Sequence, residues 1–198
     1  MMTSEEHAAL CAELATLRKQ QVQSQFGSAP GSVARLEGLL GAATSDEDRA
    51  VLYTLLASEC SKARNDSLYI DCLRRRARDL PTDPMAHAGL ATTLSMVEPS
   101  SRNEAIAIAD KALEMAKSQD RLVRYCATNL ARIGLILDDY AVLQRALAEL
   151  VGDAGRDRPE DTGYEFDFVD QINVQRLNAG LLAEYRELVH RSNNTVTK

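Results

Sequence analysis

At 198 residues, with 45% hydrophobic and 26% charged residues, the chain is long enough for one ordinary domain or one short solenoid. Its formal charge is −6 and neither half is strongly basic, which argues against phosphate-backbone binding as the main task, because cationic neutralisation dominates nucleic-acid affinity. The start, MMTSEEHAAL, carries acids where a secretory signal is basic, and no long apolar run follows, so no targeting or membrane segment is expected.

Ser4 to Gln25 reads as a first helix with Leu10, Leu14 and Leu17 on one face, and FGSAPGS follows as a flexible link. Ser32 to Ala43 carries Val33, Leu36, Leu39 and Leu40 at helical spacing. This pair, residues 1–45, is either a degenerate repeat or an N-terminal cap that covers the end of the neighbouring helices; a detached arm is the third option. Ser45 can cap the next helix, with Asp46, Glu47 and Asp48 suiting its positive end, and the helix runs to about Lys62. Asn65-Asp66 makes a turn, and Ser67 to Leu80 is a partner helix with Leu68, Ile70, Leu73 and Ala77, ended by Pro81 and Pro84.

Met85 to Val97 forms a seam through Leu90-Ala91 and Leu94. In Asn103 to Lys117, after a possible cap from Ser100-Ser101, Ala105, Ile108, Ala109, Ala112, Leu113 and Ala116 make one stripe. Alanine at Ala105, Ala109 and Ala112 lets a neighbouring helix approach closely, while Glu104, Asp110, Lys111, Glu114 and Lys117 stay wet. Asp120 to Leu137 is the clearest amphipathic run, keeping step through Leu122, Val123, Cys126, Ala127, Leu130, Ile133, Gly134 and Leu137. Asp138-Asp139-Tyr140 turns the chain, and Ala141 to Val151 answers with Val142, Leu143, Ala146, Leu147 and Leu150. GDAGRDRPEDTG from Gly152 reads as a loop. TGYEFDFVD alternates briefly like a strand, but with no partner strand in view a helix from about Tyr164 to Leu177 is favoured. Leu181 to Arg191 is a final helix, and Ser192 to Lys198 a frayed tail, so 152–198 caps the C-terminal end.

The pattern recurs along the chain. Leu90-Ala91 lies 34 residues after Leu56-Ala57, Ala112 lies 35 after Ala77, and Leu130-Ala131 lies 40 after Leu90. NEAIAIADKALEM, the closing turn LPTDP at Leu80–Pro84 and LARIGLILDDY at Leu130–Tyr140 resemble parts of the tetratricopeptide repeat over roughly Asp46 to Val151. The resemblance departs where large aromatics are sparse, Tyr53 being the best match, and where KSQD after Met115 lacks a proline. It implies an all-α, right-handed α-α superhelix of about three antiparallel hairpins, spanning 46–151 between helical caps. An irregular all-α bundle is the alternative.

Little in the sequence points to catalysis. His7, His87 and His190 are far apart, no glycine-rich loop follows a strand, and Cys11, Cys60, Cys72 and Cys126 show no metal-type spacing. No catalytic, cofactor-binding or metal residue is therefore assigned, and a reduced, cytoplasmic setting suits the thiols. The Ala- and Arg-rich composition points to a bacterial source. Arg74-Arg75-Arg76 with Arg78 reads as a solvated convex face, or alternatively as an anion or acidic-peptide site. Seven acids between Asp153 and Asp170 form a solvated loop or dock on those arginines in a homodimer.

What the repeat resemblance implies is a concave groove lined by first helices. By phase its lining is Thr54, Ser58 and Lys62, then Ala88, Thr92, Ser95 and Met96, then Tyr125, Thr128 and Arg132. Such a surface suits an extended peptide held through backbone and short polar contacts. Thr54 and Ser58 stand where a carboxylate-clamping member would carry Lys and Asn, which points away from a chaperone-tail receptor. The expected role is a non-catalytic adaptor or scaffold for a protein partner. A dedicated chaperone for one client and a structural homo-oligomer are the alternatives, and neither nucleic acid nor membrane is an expected partner.

Overall fold

The computed structural model describes residues 8, 9, 12, 13, 16, 31–154 and 172–195. These residues hold eight α-helices and no strand. In chain order they are α1 (Ser32–Ala42), α2 (Asp46–Lys62), α3 (Asp66–Asp79), α4 (Pro84–Val97), α5 (Arg102–Ser118), α6 (Val123–Ile136), α7 (Tyr140–Gly152) and α8 (Ala179–Thr195). Residues 8, 9, 12, 13 and 16 are also helical; the rest of the expected Ser4–Gln25 helix lies outside the described residues. The chain divides into two compact units, Met1–Pro81 and Thr82–Lys198. The division falls inside the stretch 46–151, at the proline turn after α3.

Helix starts follow side-chain caps. Ser45 accepts the Asp48 N–H at 3.1 Å and returns its hydroxyl to Asp48 Oδ2 at 2.6 Å, closing the first turn of α2. Asn65 caps α3 through the Leu68 N–H, and Asp83 caps α4, with Pro84 in the first turn where its missing N–H costs nothing. Asp139 accepts from both Ala141 and Val142 to start α7. The expected cap at Ser100-Ser101 does not form: Pro99–Ser101 is a short 3-10 turn leading into α5, and the Ser101 hydroxyl bonds Glu98.

In the first unit α2 packs on both α1 and α3. Leu36, Leu52, Tyr53, Leu56, Cys60, Ile70 and Leu73 form its buried interior. In the second unit α4 packs on α5 and α6, α6 on α5 and α7, and α7 on α8. Ala105, Ala109, Ala112 and Ala116 of α5 are all at most 1% exposed, which is the close helix approach that their size permits. Gly134 of α6 goes further, because a Cβ there would sit 2.7 Å from the Leu143 backbone nitrogen.

Polar contacts set the direction of these helices. Gln119, just past α5, donates to Thr82 O at 2.8 Å, so the end of α5 lies beside the start of α4. Arg102, at the start of α5, reaches Leu137 O and Asp139 at the end of α6. Cys126 Sγ lies 4.0 Å from Pro84 O near the starts of α6 and α4. Helices α4 and α6 therefore run parallel, with α5 antiparallel between them in sequence. The ion pairs Arg145–Asp110 and Lys117–Glu149 link α5 to α7 in the same parallel sense.

Three boundaries differ from expectation. Helix α6 starts at Val123 rather than Asp120, because Asp120 and Leu122 take left-handed backbone at φ 50 and 58. The helix expected over Tyr164–Leu177 is absent from its described part: Ile172 is buried outside any helix, Asn173 is extended, and Val174–Arg176 is a single 3-10 turn capped by Asn173. This segment is pinned to the α6–α7 turn, where Arg176 lies over the Tyr140 ring and pairs with Asp138, and Tyr140 Oη accepts the Asn173 N–H. Residues 164–171, like 155–163 where a loop was expected, lie outside the described residues. Finally, α8 continues to Thr195, so Ser192 to Thr195 extend a helix rather than fray.

Candidate functional site

The sequence-derived groove residues fall in both compact units and in different environments. In the first unit Thr54 is exposed on α2, bonding Ala50 O and accepting from Arg76 Nη1 at 3.2 Å. Ser58 is half-buried, and Lys62 is held by buried Glu59 at 3.1 Å, which also accepts from Ser32. Lys62 is thus committed to a bridge within its own unit.

In the second unit the phase of the repeat misplaces three residues. Ala88, Ser95 and Thr128 are only 1%, 2% and 4% exposed, so they sit within the helix packing rather than on an open surface. Ser95 bonds back to Thr92 O, as hydroxyls inside helices do. Thr92, Tyr125 and Arg132 are half-buried, and Met96 is open. Thr92 Oγ1 lies 2.8 Å from Asn129 Oδ1, and Asn129 Nδ2 donates to Tyr125 O at 2.8 Å. This small network registers α4 against α6 at mid-length.

Beyond that network, near the C-terminal ends of α4 and α6, three apolar side chains are exposed next to Glu98 and Asp138. Met96 at 57%, Val97 at 41% and Ile136 at 44% are the large hydrophobic residues exposed among the described ones. Because α4 and α6 are parallel, all three emerge at the same end of the pair. Val97 and Ile136 were not expected here, although Ile136 stands outside the α6 apolar stripe, which is the signal that marks it.

The arginine cluster of α3 resolves into separate roles. Arg75 makes a bidentate bridge to Glu37 of α1 at 2.6 and 2.8 Å, and its hydrogen bond holds the Glu37 carboxyl below its ordinary range. Tyr53 donates its hydroxyl to Asp79; burial, then the Asp79 carboxylate, pushes the phenol up to about 12, and the same bond lowers Asp79. Arg76 is buried beside Thr54, while Arg74 and Arg78 are exposed, Arg78 pairing with its neighbour Asp79. The four arginines do not share one face. Of the acids from Asp153 to Asp170, Asp153 is buried and pairs with Arg124; the others lie outside the described residues.

His87 is buried within α4. Cys60, Cys72 and Cys126 are buried and form no disulfide among the described residues, and burial pushes the Cys72 thiol up to about 12, which suppresses thiolate chemistry there. Cys11 lies outside the described residues. Among the described residues no cluster of histidine, cysteine and acids is placed to hold a metal ion, and no helix is long and apolar enough to cross a membrane. Compared with known protein families, curated proteins and solved structures, the chain matches none.

Proposed function

We propose that this chain is a non-catalytic binding protein that holds a segment of a protein partner on the α4–α6 face. The hairpins α4–α5 and α6–α7 are read as tetratricopeptide-like repeats of a right-handed α-α superhelix. Their support is the parallel pairing of α4 with α6, and of α5 with α7, at a sequence offset near that of the repeat. The observation that carries the binding role is the exposure of Met96, Val97 and Ile136 where the parallel helices α4 and α6 end. Large apolar side chains left in water forgo the free energy of burial, and covering them is what a partner would supply. The buried thiols, in no disulfide among the described residues, favour a reducing, cytoplasmic setting for this work.

The experiment is a capture from the native host, comparing wild-type protein with a Met96→Asp/Ile136→Asp variant and reading both by mass spectrometry. A specific protein held by the wild type and lost from the variant, with helicity and melting unchanged, is the expected result. Equal capture by both would sink the assignment of this face. Light scattering on the same samples tests the homo-oligomer reading, which requires a mass above the 21.7 kDa of one chain.

A further inference from the structure

Nothing among the described residues covers Met96, Val97 and Ile136 at the C-terminal ends of α4 and α6. Three side chains fall far short of the roughly 20–30 residues a side that a stable interface uses, so a second copy of the chain is a poor occupant. The chain itself supplies a nearer one. Helix α7 ends at Gly152, while Asn173 donates its N–H to Tyr140 at the start of α7, and Arg176 pairs with Asp138 in the same turn. Residues 155–171 therefore join the end of this 13-residue helix back to its beginning, a distance of about 20 Å. Fully extended chain of that length spans about 55 Å, so more than half of it is spare.

That return finishes beside the apolar patch. Ile136 closes α6 just before the turn that holds Asn173, and Arg102, which follows α4, bonds Leu137 O and Asp139 in that turn. The last part of the connection is also its apolar part: it carries Tyr164, Phe166, Phe168 and Val169, including two of the three phenylalanines in the sequence. Phenylalanine left in water forgoes the free energy of burial. Phe168 lies within about 17 Å of Asn173 along the chain, a reach that takes in the ends of two helices packed about 10 Å apart. We infer that residues 164–169 are the occupant of this face, with Phe166 and Phe168 over Met96 and Ile136. Extended backbone puts Phe166 and Phe168 on one side and Glu165 and Asp167 on the other, so the acids need not meet Glu98 and Asp138. A tethered segment is present at its site at an effective concentration on the order of millimolar, so a partner that docks there has to displace it. The inference concerns the same face as the proposed function and stands whether or not a partner exists.

Methionine oxidation reads the face directly. The full-length chain is treated with hydrogen peroxide and each methionine is followed by mass spectrometry, with the half-buried Met85 and Met115 as references. Phe166→Ser/Phe168→Ser should oxidise about fivefold faster than wild type at Met96, with Met85 and Met115 unchanged. The wild-type protection should persist on dilution. Equal rates at Met96 would overturn the inference, and protection lost on dilution would give the face to a second copy instead. Where the variant speeds all three methionines, it has loosened the fold, and a second measurement decides. Photo-reactive benzoylphenylalanine in place of Phe168 should cross-link, within one chain, to the peptides holding Met96 or Ile136. Cross-links confined to other parts of the chain would overturn the inference. Capture scores the partner separately: a partner held with equal Met96 oxidation keeps the proposed function and removes this inference, and protected Met96 with no partner does the reverse.

Discussion

The two compact units are held by different chemistry. The first unit crosses its helices with polar links: Arg75 to Glu37 between α3 and α1, Tyr53 to Asp79 between α2 and α3, and Ser32 to Glu59 between α1 and α2. The second unit is closed by small residues, the alanines of α5 and Gly134 of α6, over a core through Leu130, Leu143, Leu147 and Leu150. Its links between α5 and α7, Arg145–Asp110 and Lys117–Glu149, are half-exposed at the rim. Apolar contact at alanine distance demands shape and is indifferent to pH. Bridged carboxylates tolerate small shifts in shape and depend on charge. The first unit should therefore respond to acid, and the second to volume.

The largest effects should come from volume changes in the second unit. Leu130→Ala removes a side chain 1% exposed in the core and should cost about 2–5 kcal/mol in urea unfolding. Gly134→Ala places a methyl against the Leu143 backbone, which cannot rotate away as a flexible side chain could, and should cost about 1–3 kcal/mol. If Gly134→Ala were neutral, the close approach of α6 and α7 would not be a determinant of this unit, and the contrast between the units would fail.

Much of this packing was legible in the sequence. The apolar stripes of residues 103–117 and 120–137 correspond to buried faces of α5 and α6, and Ser45 caps as its position suggests. The parts that were not legible depend on partners distant in sequence. Phase alone assigned Ala88, Ser95 and Thr128 to an open groove, whereas packing between neighbouring helices closes over them. Glu37 and Arg75 are 38 residues apart, and nothing local to the arginine run says which of its members turns inward. Leu122 adopts left-handed backbone that a leucine adopts only under tertiary constraint, so the α6 start shifted by three residues.

Acid should separate the units next. Glu37 and Asp79 are bound in the folded state as carboxylates, so their folded pKa values lie below the unfolded ones. Their stabilisation is fully present above the unfolded pKa, near the ordinary 4.5 and 3.8, and is lost as pH falls through the lower folded values. Asp139 gives the second unit a dependence of the same sign, through the Val142 N–H and Arg102. Melting followed from neutral pH down into that range should fall. A Glu37→Gln/Asp79→Asn variant should flatten the slope more than Asp139→Asn does. At neutral pH Glu37→Gln alone should cost no more than about 1 kcal/mol, since the pair is part-exposed. An acid slope unchanged by the double variant would remove charge from the account of the first unit.

A smaller effect of opposite sign is expected at Thr128. Its Oγ1 is buried without a hydrogen-bond partner, so Thr128→Val exchanges a desolvated hydroxyl for a methyl of similar shape. Thermal unfolding should show a gain of up to about 1 kcal/mol.

The smallest predicted effect concerns what the units share. Helices α2 and α5 end in the same way: Asn65 N–H bonds Cys60 O, and Arg121 N–H bonds Ala116 O, across Arg64 and Asp120 at φ 52 and 50. That left-handed position is the one glycine usually fills, because a Cβ there crowds the following carbonyl. Both side chains are exposed, so replacing them removes strain without opening the core. Arg64→Gly and Asp120→Gly should each raise stability by about 0.5 kcal/mol, the relief of strain exceeding the added freedom of the unfolded glycine. Equal gains would show that helix termination is a local property, independent of whether polar links or alanine packing hold the surrounding unit. A gain at Arg64 with a loss at Asp120 would instead mean that the aspartate's own contacts outweigh its backbone strain, and termination in the second unit would then belong to its tertiary structure.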